Sequence, residues 1–94
     1  MTPLISAALS GRGEVCNVLV KEMKANVNKQ DVGQDTALYK AARYNYISIV
    51  ELLIKNGAKN LKNKNNETAL DYARQSKREE MIKLLESHFN QKQL

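Results

Sequence analysis

The chain holds one cysteine, one histidine and ten carboxylates, and any catalytic or metal-binding set would have to be assembled from these. Cys16 lies among Val15, Val18 and Leu19. A nucleophilic thiolate needs a base within hydrogen-bond reach, and the single imidazole, His88, stands near the other end of the chain. Cys16 therefore reads as a small buried hydrophobe. His88 has no second histidine and no neighbouring thiol to complete a metal set; at the end of an apolar-periodic segment it suits a helix C-terminus, where a cation is favoured. The adjacent Glu79 and Glu80 begin such a segment, where negative charge is favoured. Gly11-Arg12-Gly13 supplies two glycines of a phosphate-cradling loop, but it follows a helical pattern and lacks the rest of that fingerprint. No catalytic residue, cofactor or metal is expected.

Charge is the other chemical resource. The formal net charge is +5, and it is uneven. Residues 1–35 carry four basic and four acidic groups, residues 36–67 six and two, and residues 68–94 five and four. The excess gathers at Lys55, Lys59, Lys62 and Lys64. Lysines beside phosphates release counterions and bind nucleic acid, so nucleic acid or an acidic ligand is one reading of this loop. No aromatic residue is interleaved with it, because Tyr39, Tyr44 and Tyr46 fall on another segment. A solvated lysine-rich loop is the plainer reading, and an acidic protein partner the next.

The elements that position these residues follow from repetition. Thr2-Pro3-Leu4-Ile5-Ser6-Ala7, Thr36-Ala37-Leu38-Tyr39-Lys40-Ala41 and Thr68-Ala69-Leu70-Asp71-Tyr72-Ala73 begin three units, offset by 34 and 32 residues. Each threonine suits an N-cap, and Pro3 suits the first helical position, where its missing N–H costs nothing. A short helix follows and stops near Gly11, Asn45 and Lys77. The first two of these tolerate the left-handed conformation that ends helices, and the lysine is a poorer choice. A second helix starts near Glu14, Ser48 and Glu79 and carries one apolar stripe: Val15, Cys16, Val18, Leu19, then Ile49, Val50, Leu52, Leu53, then Met81, Ile82, Leu84, Leu85. Polar turn residues lead to the next threonine. Neither helix can bury its stripe within one unit, so neighbouring units must stack. Aromatics make up only 5% of the chain, which requires an aliphatic core. The fold class expected is all-α, a helix-turn-helix repeat solenoid with extended β-turn-like connecting loops.

The three registered copies of T-P-L-I-S-A, T-A-L-Y-K-A and T-A-L-D-Y-A resemble the ankyrin repeat pattern T-P-L-H-x-A. Ala25-Asn26-Val27-Asn28 and Gly57-Ala58-Lys59-Asn60 resemble its loop segment. The resemblance implies one domain with repeat one at 2–35, repeat two at 36–67, a capping repeat at 68–89 and a tail at 90–94. The family's loop-tying histidine is replaced by Ile5, Tyr39 and Asp71, and Gln34 and Asn66 stand where the turn's glycine usually sits. Irregular turns are therefore expected.

The charged Arg74, Glu79 and Glu86 stand where the second unit has Ala42, Ile47 and Ile54. They give the third unit the polar face of a terminal repeat. The first unit has no such substitution. Ile5, Ala8, Leu9 and Val20 have interior-repeat character there, so either a longer array or self-association through an exposed face is expected.

The resemblance implies a non-catalytic protein–protein interaction module. Its partner, another protein, would bind the concave face through the turn tips Val32, Gly33 and Asp35, then Lys64, Asn65 and Glu67. The first helices would contribute Ile5, Leu9 and Ser10, then Tyr39, Arg43 and Tyr44, then Asp71, Gln75 and Ser76. Tyr39, Arg43 and Tyr44 form the expected hot spot, since tyrosine and arginine dominate binding energetics; Tyr39 alternatively fills the missing histidine position between repeats. The remaining alternative is a regulatory piece of a larger multidomain protein. No apolar run is long enough to span a membrane and no secretory leader is visible. With a single cysteine, a cytoplasmic or nuclear location is expected.

Overall fold

The computed structural model describes residues 1–89; the expected tail, 90–94, lies outside the described residues. Six helices and no strand occur among the described residues: α1 (Pro3–Leu9), α2 (Gly13–Lys21), α3 (Ala37–Arg43), α4 (Ile47–Lys55), α5 (Ala69–Gln75) and α6 (Glu79–Phe89). Inner helices α1, α3 and α5 pack on one another in order, and each packs on the outer helix that follows it. The stack measures 36 × 24 × 21 Å.

The threonines are the N-caps. Ile5 N–H donates to Thr2 Oγ1 at 3.0 Å, Tyr39 N–H to Thr36 Oγ1 at 3.1 Å and Asp71 N–H to Thr68 Oγ1 at 3.0 Å. At the third cap Thr68 N–H donates in return to Asp71 Oδ2, a reciprocal pair that satisfies two otherwise free donors. The inner helices end on left-handed residues: Gly11 at φ 73°, Asn45 at 63° and Lys77 at 56°. The next residue then donates back to an alanine carbonyl, Arg12 to Ala7, Tyr46 to Ala41 and Arg78 to Ala73. Only Gly11 is also sterically fixed, since a Cβ there would lie 2.8 Å from Tyr46 Cζ.

The core is aliphatic, as the composition requires. Leu4, Leu38, Val50, Leu53, Met81 and Leu85 are buried, and Ala8, Ala41, Ala42 and Ala73 are 0% exposed between the layers. Cys16 is fully buried, and burial pushes its thiol pKa up. That is the hydrophobe expected, with its thiolate disfavoured.

Two expectations change. The turns are regular rather than irregular. In residues 31–35 and 63–67 the first N–H donates to the fifth carbonyl at 2.9 Å in both cases, and the fourth N–H donates to the first carbonyl. Gln34 and Asn66 take φ 66° and 65°. The missing glycine is compensated by Asp31 and Asn63, whose side-chain oxygens each accept two amides of their own turn, the Asx arrangement that stabilises tight turns. In the first repeat, Ile5, Ala8 and Val20 are core residues and Leu9 is half-buried. The exposed apolar side chains there are instead Met1, Val15, Val18 and Met23, beside an open apolar hollow lined by Pro3, Leu4, Leu19, Met23 and Ala25.

Candidate functional site

The turn tips are held to each other before any partner arrives. Lys64 N–H donates to Gly33 O at 2.9 Å, and Asn63 Nδ2 donates to Asp35 Oδ1 at 2.9 Å. Gln30 Nε2 bridges Gln34 O and Lys62 O. Below them, Asn28 exchanges hydrogen bonds with Gly57 O and Lys59 N–H. Asp35 is therefore a structural member as well as a candidate contact: it is half-buried and pairs with Lys40 Nζ at 3.1 Å. Val32, by contrast, projects from its tip at 86% exposure.

Tyr39 must be withdrawn from the expected contact set. It is 4% exposed, its hydroxyl donates to Glu67 Oε1 at 2.9 Å, and its ring meets Tyr72 edge-on at 5.8 Å. Burial, then the Glu67 carboxylate, raises its pKa to about 12. The side chain fills the position of the absent histidine and ties α3 to the following turn, so a partner cannot reach it without opening the stack.

The other two members of the expected hot spot stay on the surface. Arg43 and Tyr44 are exposed at the end of α3. The Arg43 guanidinium lies 5.9 Å from the Tyr44 ring centroid and 5.8 Å from that of Tyr72, distances at which a cation is attracted to the ring faces. Tyr44 stacks on Tyr46 at 6.3 Å, which in turn covers Gly11. Arg78 reaches back from the start of α6 and donates to Arg43 O at 2.9 Å. Tyr46, Tyr72 and Arg78 thus join the site although the spacing of motifs did not single them out. The signal was the register: Arg78 occupies in the third unit the position of Tyr46 in the second.

The same register arranges the remaining candidates. Leu9, Arg43 and Gln75 occupy equivalent positions in successive repeats, and Ser10, Tyr44 and Ser76 the next ones. Ser10 and Gln75 are exposed; Leu9 and Ser76 are half-buried. Two rows therefore cross the C-terminal ends of the inner helices, with the Arg43–Tyr44 pair at the centre.

Lys55, Lys59, Lys62 and Lys64 are all exposed. They run from the end of outer helix α4 to the turn tip. Among the described residues the ion pairs are Lys40 with Asp31 and Asp35, and Arg74 with Glu86, so none of these four lysines is paired. No cluster of three or more metal-ligating side chains occurs among the described residues, and no helix there is long and apolar enough to cross a membrane.

Comparison with known proteins agrees with the repeat architecture. Residues 4–93 match the family pattern described as ankyrin repeats in three copies. The chain is similar to alpha-latrotoxin-Lg1a of Latrodectus geometricus, 33% identical over 89 residues that make up 92% of this chain and 6% of that protein. It is also similar to two proteins of Latrodectus tredecimguttatus. Alpha-latrotoxin-Lt1a is 35% identical over 71% of this chain and 5% of that protein, and alpha-latroinsectotoxin-Lt1a is 36% identical over 60% of this chain and 4% of that protein. The chain thus spans a small fraction of the length of these relatives.

Proposed function

Because the chain belongs to the ankyrin repeat family, whose repeats generally mediate protein–protein interaction, we propose that it is a non-catalytic module that binds a protein across its inner-helix face. The observation that carries this reading is Tyr44. It is 46% exposed in a chain whose other large hydrophobics are mostly buried, and its ring has Tyr46 and the Arg43 guanidinium for neighbours. An exposed tyrosine beside an arginine offers a large contact area with few rotatable bonds to order. Leu9, Ser10, Gln75 and Ser76 extend the surface along the two rows, and Val32 supplies an apolar contact at the turn edge.

The test is affinity capture from the native cell with wild-type, Arg43→Ala and Tyr44→Ala baits, read by quantitative mass spectrometry. Both variants are expected to keep a melting temperature within a few degrees of wild type, because exposed substitutions shift stability by about 0.5 kcal/mol or less, and both are expected to lose the retained partner. Undiminished retention by both would remove the site assignment.

A further inference from the structure

We propose that the segment bound on the inner-helix face carries a carboxylate that docks as a two-point hydrogen-bonded pair on Arg43. This rests on the interaction reading above and names the partner's chemistry. The Arg43 guanidinium is positioned by two aromatic rings, Tyr44 and Tyr72, and its N–H donors meet no acceptor among the described residues. An arginine held this way loses little freedom on binding, and its planar fork matches a carboxylate with two parallel hydrogen bonds.

The carboxylates on the turn side of the same surface are already engaged. Asp31 and Asp35 face Lys40, Glu67 accepts from Tyr39, and Asp71 accepts from the Thr68 amide. Arg43 has none of them for a partner, and Arg78, bonded to its carbonyl, places a second positive charge beside it. The unmet charge at the centre of the two rows is therefore positive. Polarity also selects the class of partner. Along the inner helices the carboxylates Asp35, Glu67 and Asp71 alternate with Lys40 and Arg43, a mixed pattern that a uniformly charged phosphate backbone does not match, whereas a peptide meets it with one acidic side chain over Arg43 and neutral or apolar neighbours toward Tyr44 and Val32.

The experiment is selection from a phage-displayed library of random dodecapeptides against the whole chain, followed by binding of the synthetic consensus peptide. The enriched sequences are expected to share an Asp or Glu at one fixed place beside an apolar residue. Arg43→Lys is expected to weaken the consensus peptide about tenfold or more, because lysine lacks the fork. Replacing the peptide's acid by its amide should cost a similar factor. In a double-mutant cycle the two losses should not add, which marks a direct pair. No enrichment, enriched peptides without a fixed acid, or losses that add would each overturn the proposal. If Tyr44→Ala still abolishes peptide binding in the last two cases, the inner-face reading survives. If Arg43→Ala and Tyr44→Ala both leave peptide binding unchanged, that reading falls with it. A twelve-nucleotide oligothymidylate is titrated alongside; binding as tight as the peptide's, and weakened by Arg43→Lys, would overturn the proposal in favour of nucleic acid.

Discussion

The inner and outer helices solve the same packing problem with different residues. Each inner helix has seven residues and opens on a threonine whose hydroxyl accepts an amide. Outer helices α2 and α4 have nine and open on Arg12 and Tyr46 with no side-chain cap. The inner layer is built around alanines with 0% exposure; the outer layer buries a stripe such as Ile49, Val50 and Leu53 and leaves Val15 and Val18 more than two-fifths exposed. At those alanines side-chain size is therefore the governing variable, because a methyl group already fills the space there between neighbouring helices. Outside, it is enough that one face be apolar. The inner layer sets the spacing of the rows that carry Arg43 and Tyr44.

The most severe way to challenge this contrast is to enlarge an inner alanine. Ala42→Leu is expected to cost about 1–3 kcal/mol from overpacking, and Val18→Leu on the outer surface about 0.5 kcal/mol or less. In a domain of this size each kcal/mol lowers the melting temperature by about 4–8 °C, so thermal denaturation followed by circular dichroism separates them. Equal shifts at the two positions would break the comparison. A smaller difference is expected at the caps: Thr36→Ala should cost about 1 kcal/mol, whereas Arg12→Ala, which removes no cap hydrogen bond, should cost less than half of that, both read from urea midpoints.

At neutral pH the smallest contrast concerns Tyr39, whose role a pH series sharpens. Its folded pKa, about 12, lies above the ordinary value of 10.0, so the folded state holds the phenolic proton more tightly. The resulting stability is complete below about pH 10 and is lost as pH rises toward 12. The urea midpoint of wild type is expected to fall more steeply than that of Tyr39→Phe across this window. Parallel curves would show that burial and Glu67 do not raise the Tyr39 pKa in the folded state.

The repeat register was legible because caps and stripes are local: Thr2, Thr36 and Thr68 mark helix starts by chemistry that involves only the next three residues. The left-handed ends at Gly11 and Asn45 were legible for the same reason. The regular turns were not, because attention falls on a missing glycine, while the compensation lies three residues earlier, at Asp31 and Asn63. Asx residues five places before Thr36 and Thr68 were the available signal. Tyr39 was ambiguous because its fate depends on Glu67 in the next turn, 28 residues away. In the proposed site, the exposed placement of Arg43 and Tyr44 was legible from their helical position. Tyr72 and Arg78 were not, because they arrive from the neighbouring repeat, and a motif read within one unit is blind to them.

The bond between Gly33 and Lys64 also gives the stack a mechanical character. Along the turn edge, adjacent repeats are joined by hydrogen bonds of fixed length, and behind it the alanine-filled inner layer resists compression. On the opposite side, α2 and α4 flank an open groove lined by Gly13, Asn17, Val18, Ser48 and Leu52. A bending load therefore works first on that groove, with the turn edge as the hinge line and the outer helices as the swinging side. Curvature is thus expected to be the softer coordinate of the molecule and the spacing between Arg43 and Gln75, behind the bonded turns, the stiffer one.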